Sequence, residues 1–118
     1  MDKSDIIECV DLCEEWDELC RSIRELEQDR TVRTGFAQKS HERRLSSLRK
    51  RRDAIDEQIN AVMLIIDRLP SLERRLIQLR YFEKMSWQMV ADELGFSVDH
   101  VKGKLHKKVL RDLKAEHF

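Results

Sequence analysis

The chain has 118 residues, 39% of them charged, with 23 bases and 23 acids giving a formal net charge of zero, and only three glycines and one proline. So few turn formers and no window of alternating apolar residues exclude a strand-rich fold and point to long helices. No apolar run approaches the ~18 residues of a membrane span, and the opening residues are acidic, which excludes a membrane protein or a signal peptide and gives a cytoplasmic location as the expectation.

Neutrality conceals separated signs. The first twenty residues hold eight acids against one lysine, Lys39 to Arg52 holds seven bases against Glu42, and His100 to Arg111 holds five bases and no acid. These local patches, rather than the overall balance, speak to partners.

Residues 5–30 read as one long helix. Ile6, Cys9, Cys13, Trp16, Cys20 and Ile23 step by three and four, with Leu12, Leu19 and Leu26 repeating every seven beside them, a stripe wide enough to want more than one neighbour. Three cysteines on one helix are an odd number in poor disulfide geometry, and no histidine lies near them in sequence to complete a tetrahedral metal set; they read as small apolar residues. Thr31 to Lys39 contains Gly35, loses the period and reads as a mobile connection. Ser40 starts a second long helix in which Leu45, Leu48, Ile55, Ile59, Val62, Ile66 and Leu69 keep the pattern, and Pro70 ends it.

Neither helix would be stable alone, so an antiparallel hairpin of 5–30 against 40–69 is the expected solution. It would set acidic residues 2–18 beside Asp53, Asp56, Glu57 and Asp67 and gather the bases at its tip. Two hairpins lying head to tail would relieve both clashes, hence the expectation of a homodimer through these helices. The same bases could instead contact phosphate or simply face solvent.

Ser71 should cap a third helix with Leu72, Leu76, Leu79 and Phe82 at helical spacing. Met85 to Lys108 then reads as helix, turn, helix. Ser86 caps the first helix, which buries Val90, Ala91 and Leu94. Gly95 supplies the left-handed turn, Phe96 fills the corner, and Ser97 caps a second helix burying Val101, Leu105 and Val109. That leaves His100, Lys102, Gly103, Lys104, His106, Lys107 and Lys108 on the remaining surface, a cationic helix suited to a DNA groove.

Leu69-Pro70, Glu73-Arg74, Leu79-Arg80-Tyr81, Ser86, Ala91, Leu94-Gly95, Ser97, Val101 and Leu105-His106 together resemble region 4 of the bacterial sigma-70 family over about the last 55 residues. Within it, the pattern is most similar to small phage-encoded regulators of late transcription and packaging genes in Gram-positive bacteria and their phages. The apolar periodicity thus gives an all-α fold that opens on a long coiled-coil-like hairpin in residues 1–60, an oligomerisation or partner-binding part, and the resemblance implies a DNA-binding helix-turn-helix domain in 61–118. It implies double-stranded DNA as partner and RNA polymerase as a second one.

By position, Ser97, Asp99, His100, Lys102, Gly103 and His106 match base-contacting positions. Arg80, Ser86, Trp87 and Gln88 match the phosphate side, joined by Lys104, Lys107, Lys108 and Arg111. Nothing corresponds to sigma region 2, so this chain is not expected to melt promoters. The function expected is a sequence-specific transcriptional regulator; the alternatives are a packaging protein resembling a terminase small subunit, or a sigma-like adaptor on polymerase. No phosphate loop, catalytic pair or metal-ligand spacing is present, so neither an enzyme nor a cofactor is expected.

Overall fold

The computed structural model describes residues 1–29 and 35–116, and every regular element among them is helical. Helix α1 spans Lys3–Gln28 and α2 spans Gly35–Ile66. α1 opens on a reciprocal cap: Asp2 accepts from the Ser4 amide at 2.9 Å, and the Asp2 amide donates to the Asp5 carboxylate at 2.9 Å. Hydrogen bonds from the Ser4 side chain and the Asp5 backbone hold the Asp2 carboxyl below its usual pKa. α2 starts earlier than its sequence pattern indicates. Gly35 adopts φ +67° and the helix runs on through Phe36–Lys39, four residues expected to belong to the connection; Thr31–Thr34 lie outside the described residues. α2 also ends three residues early, since Arg68 and Leu69 donate to Ile65 and Ile66 in a tighter turn before Pro70.

Contacts divide the chain into two units, residues 11–59 and residues 1–10 with 60–118. Within residues 11–59, α1 and α2 form the expected antiparallel hairpin. Glu15 pairs with Arg51 at 3.0 Å and Glu27 with Arg49 at 2.8 Å, so acids of one helix meet bases of the other inside one chain. All four side chains are at least 40% exposed, and such pairs contribute about 0–1 kcal/mol each. Burial of Ile23, Leu45 and Ile55 holds this unit together, while Leu12, Cys13, Trp16, Leu19 and Cys20 are only half-buried. The cysteines are unbridged, with Cys9 buried in the other unit.

The second unit gathers Ile6, Cys9 and Val10 of α1 and Val62, Ile65 and Ile66 of α2 into one buried core with the C-terminal helices. Helix α3 spans Ser71–Ile77. Its N-cap is Pro70, not Ser71 as expected; the Ser71 hydroxyl accepts from the Arg74 guanidinium at 3.0 Å instead. The helix then widens into a π-turn over Gln78–Phe82, closed by the Glu83 amide on the Gln78 carbonyl at 2.9 Å. Lys84 turns the corner at φ 57°.

Helix α4, Trp87–Leu94, begins where Ser86 accepts from the Met89 amide at 3.3 Å and ends at left-handed Gly95. Ser97 caps the next run by accepting from the His100 amide at 3.1 Å. That run is continuous but irregular: α5 over Val98–His100, a π-turn over Val101–Leu105, then α6 over His106–Lys114. Val90 and Ala91 of α4 pack with Val101, Leu105, Val109 and Leu113, all buried, so the two caps and the glycine turn are as the residues foretell. Phe96 departs from expectation: it is 40% exposed and covers His100, ring centres 4.8 Å apart, rather than filling the corner.

Gly95 sits at φ +76° with nothing within 4 Å of a Cβ placed there, so the turn needs glycine for its backbone and not for space. Gly95→Ala should therefore lower stability by about 1–2 kcal/mol in urea unfolding with its m-value unchanged.

Candidate nucleic-acid interface

The polar surface of α4, α5 and α6 rests on two anchors to the preceding helix. The first is a half-buried aromatic cluster. The Tyr81 hydroxyl lies 2.6 Å from His106 Nε2, Trp87 meets the same imidazole edge-on at 4.7 Å, and the Arg80 guanidinium stands 4.5 Å over the Trp87 ring. Arg80 also donates to the Met85 carbonyl at 2.7 Å. Burial, with Lys3 and Arg80 nearby, depresses the His106 pKa and favours the neutral ring, which shares one hydrogen bond with the Tyr81 hydroxyl. Burial likewise pushes the Tyr81 pKa up, which keeps the phenol protonated.

The second anchor is ionic. Glu73 on α3 is 1% exposed, and its Oε1 accepts from Lys108 Nζ at 2.7 Å; Oε2 has no partner among the described residues. Lys108 reaches Asp112 as well, at 3.6 Å. Burial raises the Glu73 pKa, Lys108 opposes that and Asp112 adds to it. A buried carboxylate held by one ammonium is costly to uncover, so this contact fixes where α6 crosses α3.

These anchors sort the residues singled out from sequence. Asp99, Lys102, Lys104, Lys107 and Arg111 are exposed, and none forms an ion pair among the described residues. His100 is half-exposed on Phe96, and Gly103 sits in the π-turn with open space where a Cβ would be. Ser86 and Ser97 are exposed but their hydroxyls are engaged as caps. Gln88 is exposed and donates to Asp92 at 3.0 Å. His106, Trp87 and Arg80 are brought together at the base of this surface, with His106 turned toward Tyr81, and Lys108 is turned toward Glu73. Neither orientation is visible in the spacing of the residues. The clue for Glu73 is weak: an acid beside Leu72 and Leu76 in a helix otherwise flanked by arginines. Among the described residues, no group of three or more His, Cys, Asp or Glu could hold a metal, and no helix is long and apolar enough to cross a membrane.

Against known proteins, residues 65–115 match the family model described as Sigma-70, region 4, from the last turn of α2 to just past α6. No curated protein and no solved structure matches the chain.

His106→Ala removes the partner of a buried hydroxyl and should cost about 1–3 kcal/mol in chemical denaturation. Because the folded pKa of His106 lies below the unfolded value near 6.5, its protection is complete above that pH and declines as pH falls below it. The wild type should thus lose stability as pH falls through the unfolded value near 6.5, by a component missing from the variant. Lys108→Ala strands the Glu73 carboxylate and should destabilise by about 1–3 kcal/mol, more than Glu73→Gln, which a urea series on the two variants will rank.

Proposed function

Residues 65–115 being a sigma-70 region 4-like DNA-binding helix-turn-helix, we propose that the protein is a sequence-specific, duplex-binding transcriptional regulator that reads the major groove with α5, the following π-turn and the start of α6. The observation that carries this is four exposed bases without ion pairs among the described residues, Lys102, Lys104, Lys107 and Arg111, on the second helical run of that motif. His100, Lys102, Asp99 and Gly103 contact base edges. Lys104, Lys107 and Arg111 contact phosphates, with Ser86, Trp87, Gln88 and Arg80 on the flanking strand. A carboxylate at Asp99 suits a cytosine amino group. Gly103 lets the backbone approach the groove floor.

Two assignments acquire a structural role. His106 and Ser97 serve the base-reading face by holding it, one through Tyr81 and the other as a cap. Lys108 supplies less of the phosphate attraction than its neighbours, because Glu73 and Asp112 already balance its charge. The likeness to phage-encoded late regulators supports a phage or prophage setting and contact with RNA polymerase. A homodimer through the N-terminal helices would present two such faces to paired half-sites about 34 Å apart.

Changing Lys104, Lys107 and Arg111 together to Gln should flatten the dependence of log Kobs on log salt by about 0.9 for each phosphate no longer neutralised. Lys108→Gln should change the slope less than any one of them. Ala at His100 or Lys102 should instead narrow the gap between specific and non-specific duplex by about 1–3 kcal/mol. Titration of the wild type and these variants by fluorescence anisotropy from low to physiological salt measures both effects, and identical slopes throughout would remove the phosphate assignments.

A further inference from the structure

Residues 11–59 form a two-helix unit whose apolar stripe is wider than one partner covers. Leu12, Leu19 and Leu26 recur every seven residues along α1 and all three stay half-exposed. Beside them on α1 run Asp11, Glu15, Glu18, Ser22 and Glu25, stepping by three and four, so they form one acidic flank. On α2, Ser40, Ser47 and Ala54 alternate with Arg43, Arg44, Lys50 and Arg51 in a basic flank of the same spacing. The Glu15–Arg51 ion pair shows that the two flanks border one face of the hairpin. Asp11, Glu18, Glu25, Arg43, Arg44 and Lys50 are exposed and form no ion pair among the described residues.

We propose that this face docks a second copy of the chain, α1 of each protomer lying antiparallel against α2 of the other. A twofold axis along the hairpin keeps every residue at its own height, so the level of the Glu15–Arg51 pair sets the register: Glu18 falls within a turn of the partner's Lys50, and Glu25 within a turn of its Arg43 and Arg44. The arrangement closes. A twofold axis along the hairpin places each acidic flank on the partner's basic flank, makes both contacts at once, and covers both leucine rows in a four-helix bundle.

Charge decides between this occupant and a nucleic acid. Residues 11–59 carry eleven bases against twelve acids, so as a whole the unit does not attract a polyanion. Its signs are separated onto opposite edges of one face, and the surface complementary to that is the same face turned over. Leucine burial supplies the affinity; the charges, individually weak in water, set partner and register. The small Ser40, Ser47 and Ala54 let the opposing helix come close. This proposal rests on the dimer reading above and assigns its surface, with the two hairpins tip beside tip rather than head to tail.

Two charge-reversal variants test it. The acid-flank variant carries Asp11→Lys, Glu18→Lys and Glu25→Lys; the base-flank variant carries Arg43→Glu, Arg44→Glu and Lys50→Glu. Glu15 and Arg51 stay untouched to preserve the intramolecular pair. With helicity checked by circular dichroism, light scattering at tens of micromolar should give twice the 14.1 kDa chain mass for the wild type and single mass for each variant alone. An equimolar mixture of the two variants should return to double mass, because all opposed flanks are again of opposite sign. Restoration on mixing cannot come from misfolding of either variant. A monomeric wild type would overturn the dimer itself. A double mass kept by either variant, or a folded mixture that stays monomeric, would overturn this face and leave dimerisation to another surface.

Discussion

The hydrogen bond between Tyr81 and His106 is the contact on which the exposed surface of α4, α5 and α6 depends. It spans the π-turn that ends the α3 run and the π-turn that precedes α6, the two places where the backbone departs from regular helix. A π-turn interrupts the regular i→i−4 ladder, and here side-chain ties join the two interrupted runs. Trp87 closes on the same imidazole and Arg80 closes on Trp87, which carries the constraint to the first turn of α4. Glu73 and Lys108 tie α3 to the first turn of α6 as well. Together the anchors let a short, glycine-containing helical run hold a fixed attitude over a small core. Pre-organisation of that kind lowers the ordering cost of binding.

How much of this is legible in the sequence depends on whether a residue's signal is local. The caps at Ser86 and Ser97, the left-handed Gly95 and the inward row Val90, Ala91, Val101, Leu105 and Val109 are local or periodic features, and the structure has all of them. These positions lie within residues 65–115, the stretch that matches the family model. Pro70 marks the end of α2's neighbourhood as its chemistry requires, but the cap of α3 passes from Ser71 to Pro70 itself because its fixed φ suits that position. Gly35 reads as a break in the chain, yet it adopts positive φ as the first residue of α2. The residues after it continue the helix without an apolar period to betray it. His106 and Lys108 flank the buried row Val101, Leu105, Val109 and Leu113 on a helical wheel of 3.6 residues per turn, and position at such an edge does not say whether a polar end turns to solvent or to a neighbouring helix.

The N-terminal helices illustrate a different limit. Their heptad seam announces packing without saying against what. Ile6, Cys9 and Val10 share the core of the C-terminal unit, whereas Ile23 is buried with Leu45 and Ile55 in the hairpin, and one uninterrupted helix supplies both. Charge misleads here, since the separated stretches imply like charges facing one another along the hairpin, yet Glu15–Arg51 and Glu27–Arg49 pair opposite charges within one chain. The unit remains an apolar stripe half covered, with opposite charges along its two edges.

Reading of DNA sequence by the second helical run of the motif is tested most directly by selecting bound duplexes from fragmented genomic DNA at about 150 mM salt and sequencing them. The wild type should enrich one discrete site, and the enrichment should vanish when His100 and Lys102 are both changed to Ala. Uniform, salt-sensitive recovery by both proteins would contradict sequence reading and reduce the helix to a non-specific phosphate binder.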